Sequence, residues 1–358
     1  MTPLVRAIID MSALRSNLRQ IRAKAPGAHV MAVVKANAYG HGLVPTALAL
    51  AEADAFAVAR LEEGIAIRDA GVRRAIVLLE GVFSAEQLEQ AAQHRCEIVV
   101  HDPLQVALLE RYGGTHRFVV WIKIDTGMNR LGFRPEQFPA VLARMRGLSV
   151  PPAEVRLMTH LARADEPDSP MTRAQLERFG ALARGLGLAT SIGNSAGILG
   201  REAAHGDWVR PGLALYGISP FADRPGAQFG LIPVMTLAST VITVRRVPRG
   251  ETVGYGGAWT ASRDSRIAIV AGGYGDGLPR SLEMGAPVLV NGRRAPLVGR
   301  VSMDMIAVDV SDLPEVEAGT RCVLWGRGLE VCELAARAGT LAYELLCGVR
   351  ARVPREAM

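Results

Sequence analysis

A chain of 358 residues, 49% apolar and 21% charged, is long enough for one large domain or two of average size, each with a filled core. No apolar run reaches the ~20 residues needed to span a bilayer. Arg6, Asp10, Arg15 and Arg19 interrupt the amino-terminal segment, which excludes a signal-peptide core and makes the cytoplasm the expected compartment. The formal charge of +6 arises from 41 basic and 35 acidic residues placed singly or in pairs such as Arg73-Arg74. Nucleic-acid backbones call for a clustered stripe, so neither nucleic acid nor a membrane is an expected partner.

In chain order, the first expected element is a helix at 12–25, with Leu14, Leu18 and Ile21 along one face. Short apolar runs then recur at 30–34, 56–59, 75–79, 97–100, 117–124, 155–159, 189–193 and 208–216. Helical patterns, for example at 45–52, 61–70, 85–93 and 172–186, lie between them. Eight such βα units predict a (β/α)8 barrel. Past residue 230 the pattern turns β-rich, at 236–247, 266–271, 287–290, 305–310 and 321–325. Asn291-Gly292 signals a tight hairpin, and one short helix is expected near 330–338. The expected fold class is α/β: an amino-terminal (β/α)8 TIM barrel over 1–230, then a mostly-β domain over 231–358.

Cys96, Cys322, Cys332 and Cys347 show no metal-ligand spacing and read as reduced thiols, with no metal site expected. Only Lys24, Lys35 and Lys123 are lysines among the 41 basic residues. Lysine can lose its proton and act as nucleophile or base, which arginine cannot. Lys24 lies on a polar loop, whereas the other two adjoin apolar strands.

Barrel active sites lie at the carboxyl ends of the strands. Lys35 follows the first expected strand; Asp125, Thr126, Asn129 and Arg130 follow the fifth; and His160 follows the sixth. Asn194 and Ser195 follow the seventh, while Arg210, Gly212 and Tyr216 surround the eighth. Each alone has an ordinary reading as a solvated terminus, a structural histidine or a turn. Together they form a rim on which a lysine can join an aldehyde cofactor. Ser195 with nearby amides can hold a phosphate at a helix start, and Arg130 can clasp a carboxylate.

The runs Val34-Lys35-Ala36-Asn37-Ala38-Tyr39-Gly40, Lys123-Ile124-Asp125-Thr126-Gly127-Met128-Asn129-Arg130 and Val209-Arg210-Pro211-Gly212-Leu213 resemble those of alanine racemases, pyridoxal-phosphate enzymes of fold type III. Gly254-Tyr255-Gly256, Gly273-Tyr274-Gly275-Asp276 and Ser302-Met303-Asp304 extend the likeness nearly end to end, in order and spacing. The resemblance implies interconversion of L-alanine and D-alanine, supplying D-alanine for bacterial peptidoglycan. Lys35 would hold pyridoxal 5'-phosphate as an imine and act as one base. Tyr255 would be the base on the opposite face, from the other subunit of a homodimer. Two bases are needed because the proton leaves one face of Cα and returns to the other.

The same resemblance assigns Tyr39, Ser195, Gly212 and Leu213 to the phosphate, and Asn194 and Tyr216 to the cofactor's surroundings. His160 would bond Arg210, which would contact the pyridine nitrogen. Arg130 and the partner's Met303 would bind the substrate carboxylate, with Tyr274 closing the site and Asp304 in support. Lys123 matches a lysine carbamylated in some members. Ala351 and Ser302 depart from a tyrosine and a cysteine found in others. The weighed alternatives are a decarboxylase of the same fold, a racemase with broader or serine specificity, a non-catalytic cofactor-binding barrel and, ranked well below, a basic nucleic-acid binder that salt-dependent DNA retention would reveal. A decarboxylase would be expected to face the pyridine nitrogen with a carboxylate, which Arg210 opposes.

Overall fold

A computed structural model describes residues 3–358. The chain forms two compact units. One comprises Leu14–Ala38 and Leu43–Ile232; the other comprises the segment ending at Ala13, Tyr39–Gly42 and Pro233–Met358. No helix among the described residues is long and apolar enough to cross a membrane.

The first unit is the expected closed barrel of eight parallel strands. They are His29–Val33, Ala55–Val58, Ala75–Leu78, Glu97–Val100, Val119–Lys123, Glu154–Met158, Thr190–Ser191 and Trp208–Val209, paired in chain order, with the last beside the first. Their runs are buried almost throughout, as strands covered on both faces must be. Helix starts follow local chemistry. Ser84 accepts the Gln87 amide at 3.2 Å, and Asp102 accepts that of Leu104 at 2.8 Å ahead of Pro103. The helix Met11–Lys24 is anchored by buried Asn17, whose amide donates to Leu215 O and Ile232 O at 2.9 and 2.8 Å.

The last strand is much shorter than the predicted 208–216. Pro211 has no amide hydrogen, and Leu213–Tyr216 instead winds into a 3-10 turn. At the amino ends of the strands the barrel is plugged. The Arg156 guanidinium lies 5.1 and 5.0 Å from the ring centres of Trp121 and Trp208, and Trp121 Nε1 donates to Glu97 at 2.7 Å. That leaves the carboxyl ends as the open face.

In the β-rich unit six strands close on themselves: Ser265–Ala271, Met305–Asp309, Arg293–Val298, Pro287–Val290, Arg321–Trp325 and Met235–Val247, which returns to the first. The long strand Met235–Val247 serves both ends of this closed sheet because its register shifts between Val241 and Thr243, bending it from one partner to the next. Asn291 and Gly292 have φ of 47° and 77°, the left-handed pair expected of that hairpin. Several elements were not anticipated, among them three in this unit. Arg6–Ile9 pairs antiparallel with Met235–Val247, Arg355–Ala357 lies parallel to Arg6–Ile9, and a second helix, Ala342–Gly348, follows Val331–Arg337.

Candidate active site

The barrel brings Lys35, Lys123, Arg130, His160 and Arg210 together at the carboxyl ends of its strands. Lys123 is the inward end of the fifth strand and is buried. Burial pushes its amine down to about 8, helped by the positive charges of Arg210, Arg130 and Lys35. The nearby carboxylate offsets little of this charge. Asp125 Oδ1 already accepts the amides of Gly127 and Asn129 at 2.9 and 3.0 Å, and its other oxygen lies 3.6 Å from Arg134.

Arg210 is buried and tightly held. It donates to Ser191 Oγ at 2.6 Å, Thr159 O at 2.5 Å and Ile192 O at 3.2 Å. It also meets His160 Nδ1 at 3.4 Å, the contact that the family resemblance implies. Burial lowers the guanidinium only to about 10, so it remains a cation near neutral pH. Burial, then Arg210 and Lys123, hold His160 well below the ordinary imidazole value, so the ring is neutral. Its Nδ1 accepts from Arg210 and its proton sits on Nε2. Among the described residues the Arg210 Nε–H and one Nη1–H have no protein acceptor, leaving donors for a ligand.

Lys35 lies two residues past the first strand and opens an uncommon turn. Ala36, Asn37, Ala38 and Tyr39 all take left-handed backbone, with φ of 54°, 54°, 54° and 51°. Each such residue costs roughly 1–2 kcal/mol, and strain of this kind gathers at functional sites. Glu63 compensates for it. One oxygen accepts the Ala36 amide at 2.6 Å and the Asn37 amide at 3.4 Å; the other accepts those of Ala59 and Arg60 at 3.1 and 3.2 Å. Glu63→Gln exchanges one acceptor for a donor and is expected to cost about 1–3 kcal/mol of stability. Urea titration measures it, and an unchanged midpoint would mean the turn does not depend on this carboxylate.

On the phosphate side the structure refines the expectations. Asn194 caps the helix Ser195–Gly200 by accepting the Gly197 amide at 3.0 Å. Ser195 Oγ accepts the amides of Gly212 and Ala214 at 3.0 and 3.1 Å, so the Gly212 amide is already engaged. The buried amides of Ser195, Ala196 and Leu213 donate to no protein acceptor among the described residues, and the Ser195 hydroxyl proton remains available. Buried amides are seldom left this way without a ligand. Tyr216 donates to Val33 O at 3.0 Å, fixing the turn after the last strand to the strand that leads to Lys35. A phosphate-bearing aldehyde such as pyridoxal phosphate fits this set: a reachable amine, unclaimed amides for the anion, and an arginine donor within a positively charged rim.

The remaining predicted residues belong to the β-rich unit. Tyr255 tops the hairpin of Thr252–Val253 and Trp259–Thr260 and is 70% exposed. Gly254 and Gly256, with φ of 77° and 71°, shape this turn against Arg300. The amides of Tyr274 and Gly275 donate to Ser302 O and Met303 O at 3.0 and 2.9 Å. A Cβ on Gly273 would lie 2.2 Å from Ser302 O, which explains the glycine there. Arg352, which sequence reasoning missed, grips Asp276 at 2.7 and 2.8 Å and Asp304 at 2.7 Å. Burial raises the Tyr39 hydroxyl's pKa, and Tyr343, 5.6 Å away between ring centres, adds to the rise.

Gln175 was also missed. It donates to Thr126 Oγ1 at 3.2 Å and His160 O at 2.9 Å, tying together the loops after the fifth and sixth strands. Its helix was legible in the sequence, but nothing in the sequence marked this glutamine out from others on the helix.

Two family models match the chain: "Alanine racemase, N-terminal domain" over residues 9–220 and "Alanine racemase, C-terminal domain" over 234–357. The alanine racemase of Nitrosococcus oceani is 50% identical, with 98% of each chain covered, and that of Shewanella sediminis 48% identical, with 99% of each covered. Among solved structures, the biosynthetic alanine racemase from Pseudomonas aeruginosa superposes with a TM-score of 0.97 at 46% identity. That from Acinetobacter baumannii gives 0.94 at 38%, and in both cases the whole of each chain is covered.

Proposed function

The chain belongs to the alanine racemase family, and from that premise we propose that it interconverts L- and D-alanine as a pyridoxal-phosphate-dependent homodimer. In this reading Lys35 and the partner's Tyr255 are the two bases, and the product serves cell-wall synthesis in the cytoplasm. When bound, pyridoxal phosphate supplies an electron sink for negative charge at the substrate's Cα. Lys35 attaches it and afterwards holds or receives a proton on one face. Tyr255 does the same on the other, and its exposure suits a residue offered to a second chain. Arg130, with Met303 contributed by the partner, orients the substrate carboxylate. Ser195 and the Leu213 amide hold the phosphate, with Tyr39 beside it, and Tyr274 excludes water.

The observation that carries this reading is Arg210, fixed by Thr159, Ser191 and His160 with its Nε–H to spare. A guanidinium that stays charged donates a hydrogen bond to a pyridine nitrogen without surrendering its proton. The electron sink is thereby weakened, and side reactions are limited. Lys123 is read as a carbamate, an anion that holds Arg130 in place where a free ammonium would repel it.

L-alanine supplied alone with pyridoxal phosphate is expected to lose its optical rotation and reach equal enantiomers. Release of carbon dioxide instead would point to a decarboxylase, and equal rates with L-serine to a broader racemase. Constant rotation without either would overturn the reading.

A further inference from the structure

Lys123 has a histidine beside it on the adjacent strand. Strands Glu97–Val100 and Val119–Lys123 pair in parallel with Ile98, Val99 and Val100 opposite Val120, Trp121 and Ile122. His101, the residue that follows Glu97–Val100, is therefore level with Lys123, and continued alternation puts both on the same face. His101 is buried and its ring is fixed. Nε2 donates to Glu80 O at 2.9 Å. Gln105 donates to the same carbonyl at 2.9 Å and accepts the His101 amide at 2.8 Å. A carbonyl can only accept, so the neutral ring keeps its lone pair on Nδ1. His101 also lines an open cavity with Arg130, Leu131 and Phe83, which gives small solutes access to it.

We propose that His101 is the proton acceptor through which Lys123 takes up carbon dioxide, resting on the carbamate reading of Lys123 given above. The Lys123 Nζ lone pair forms the N–C bond, and a C=O electron pair of carbon dioxide moves onto oxygen. An Nζ–H bond then breaks, and its proton passes to His101 Nδ1 and on to water.

The other groups facing Lys123 are unsuited to this task. Arg130 and Arg210 are cations, Lys35 is committed to the cofactor, and Asp125 is stabilised by two amides and Arg134. The His160 lone pair is occupied by Arg210. Burial, aided by the charge of Lys123, holds His101 below its ordinary value, so it is a free base near neutral pH. Lys123, pushed down to about 8, has a substantial neutral fraction there too.

The test follows exchange of 13C from labelled bicarbonate into the holoenzyme by 13C NMR. A carbamate signal absent from Lys123→Met is expected in the unaltered protein. Exchange in His101→Ala should be about 100-fold slower and should be restored by added imidazole. His101→Gln keeps a donor for Glu80 O without a base and should be equally slow. Normal exchange in His101→Gln, or slow exchange in His101→Ala that imidazole does not relieve, would overturn the proposal and leave the carbamate reading intact. If His101→Ala fails to fold, the Gln variant decides alone. No signal in the unaltered protein would overturn both.

Discussion

Lys35→Ala is expected to leave protein that folds, fails to acquire the yellow colour of covalently bound pyridoxal phosphate, and racemises alanine at least ~10⁴-fold more slowly. The magnitude reflects two losses at once: the attachment point and one of the two proton-transfer groups. Lys35 sits on a turn whose left-handed conformation is held by Glu63 and by the Ala38 amide bonding Val34 O at 2.8 Å. Removing the side chain beyond Cβ disturbs none of these contacts, so the fold is expected to persist. Absorbance of the purified variant with added cofactor and a urea titration separate the chemical effect from unfolding. A variant that still yellows and turns over normally would remove Lys35 from its assigned role.

The second large effect is expected at Tyr255, and it differs in kind. Tyr255→Phe deletes one hydroxyl on an exposed hairpin tip, so colour and stability should be retained. What changes is symmetry. In deuterated solvent, label should still enter Cα of one alanine enantiomer and should fall by ~10²–10⁴-fold for the other, as removal of a general base predicts. Equal losses for both enantiomers would mean that Tyr255 acts on binding rather than on one face. Unchanged exchange for both would mean that it takes no part.

The barrel was legible because strands covered on both faces read as unbroken apolar runs, and eight of them in rhythm with helices admit few other folds. The run at 208–216 was overextended because apolar Leu213–Tyr216 is as buried in a 3-10 turn as in a strand; Pro211 was the signal that the ladder stops. Arg6–Ile9 escaped notice because its partner, Met235–Val247, lies more than two hundred residues away and no local pattern announces such a pairing. Ala342–Gly348 is only seven residues long, too short for helical periodicity to stand out.

The residues at the rim were legible from strand ends and from family likeness. Those that hold them were not. Glu63, Gln175, Ser191 and Arg352 are ordinary polar residues in the sequence, and they acquire meaning only when the fold places a strained turn, a loop or a guanidinium beside them. Glu63 carried a faint signal as an acidic residue in the first turn of a helix. That position accounts for its bonds to Ala59 and Arg60 but says nothing of Ala36.

Mixing the two inactive variants asks most directly whether each site is assembled from two chains. Subunit exchange between Lys35→Ala and Tyr255→Phe protein should create hybrids in which one site carries both changes and the other carries neither. At equal proportions, about a quarter of the unaltered activity should return, half the dimers having one intact site of two. If both bases came from a single chain, every site in the hybrids would lack one of them. The mixture would then stay as inactive as its parents, contradicting the shared site.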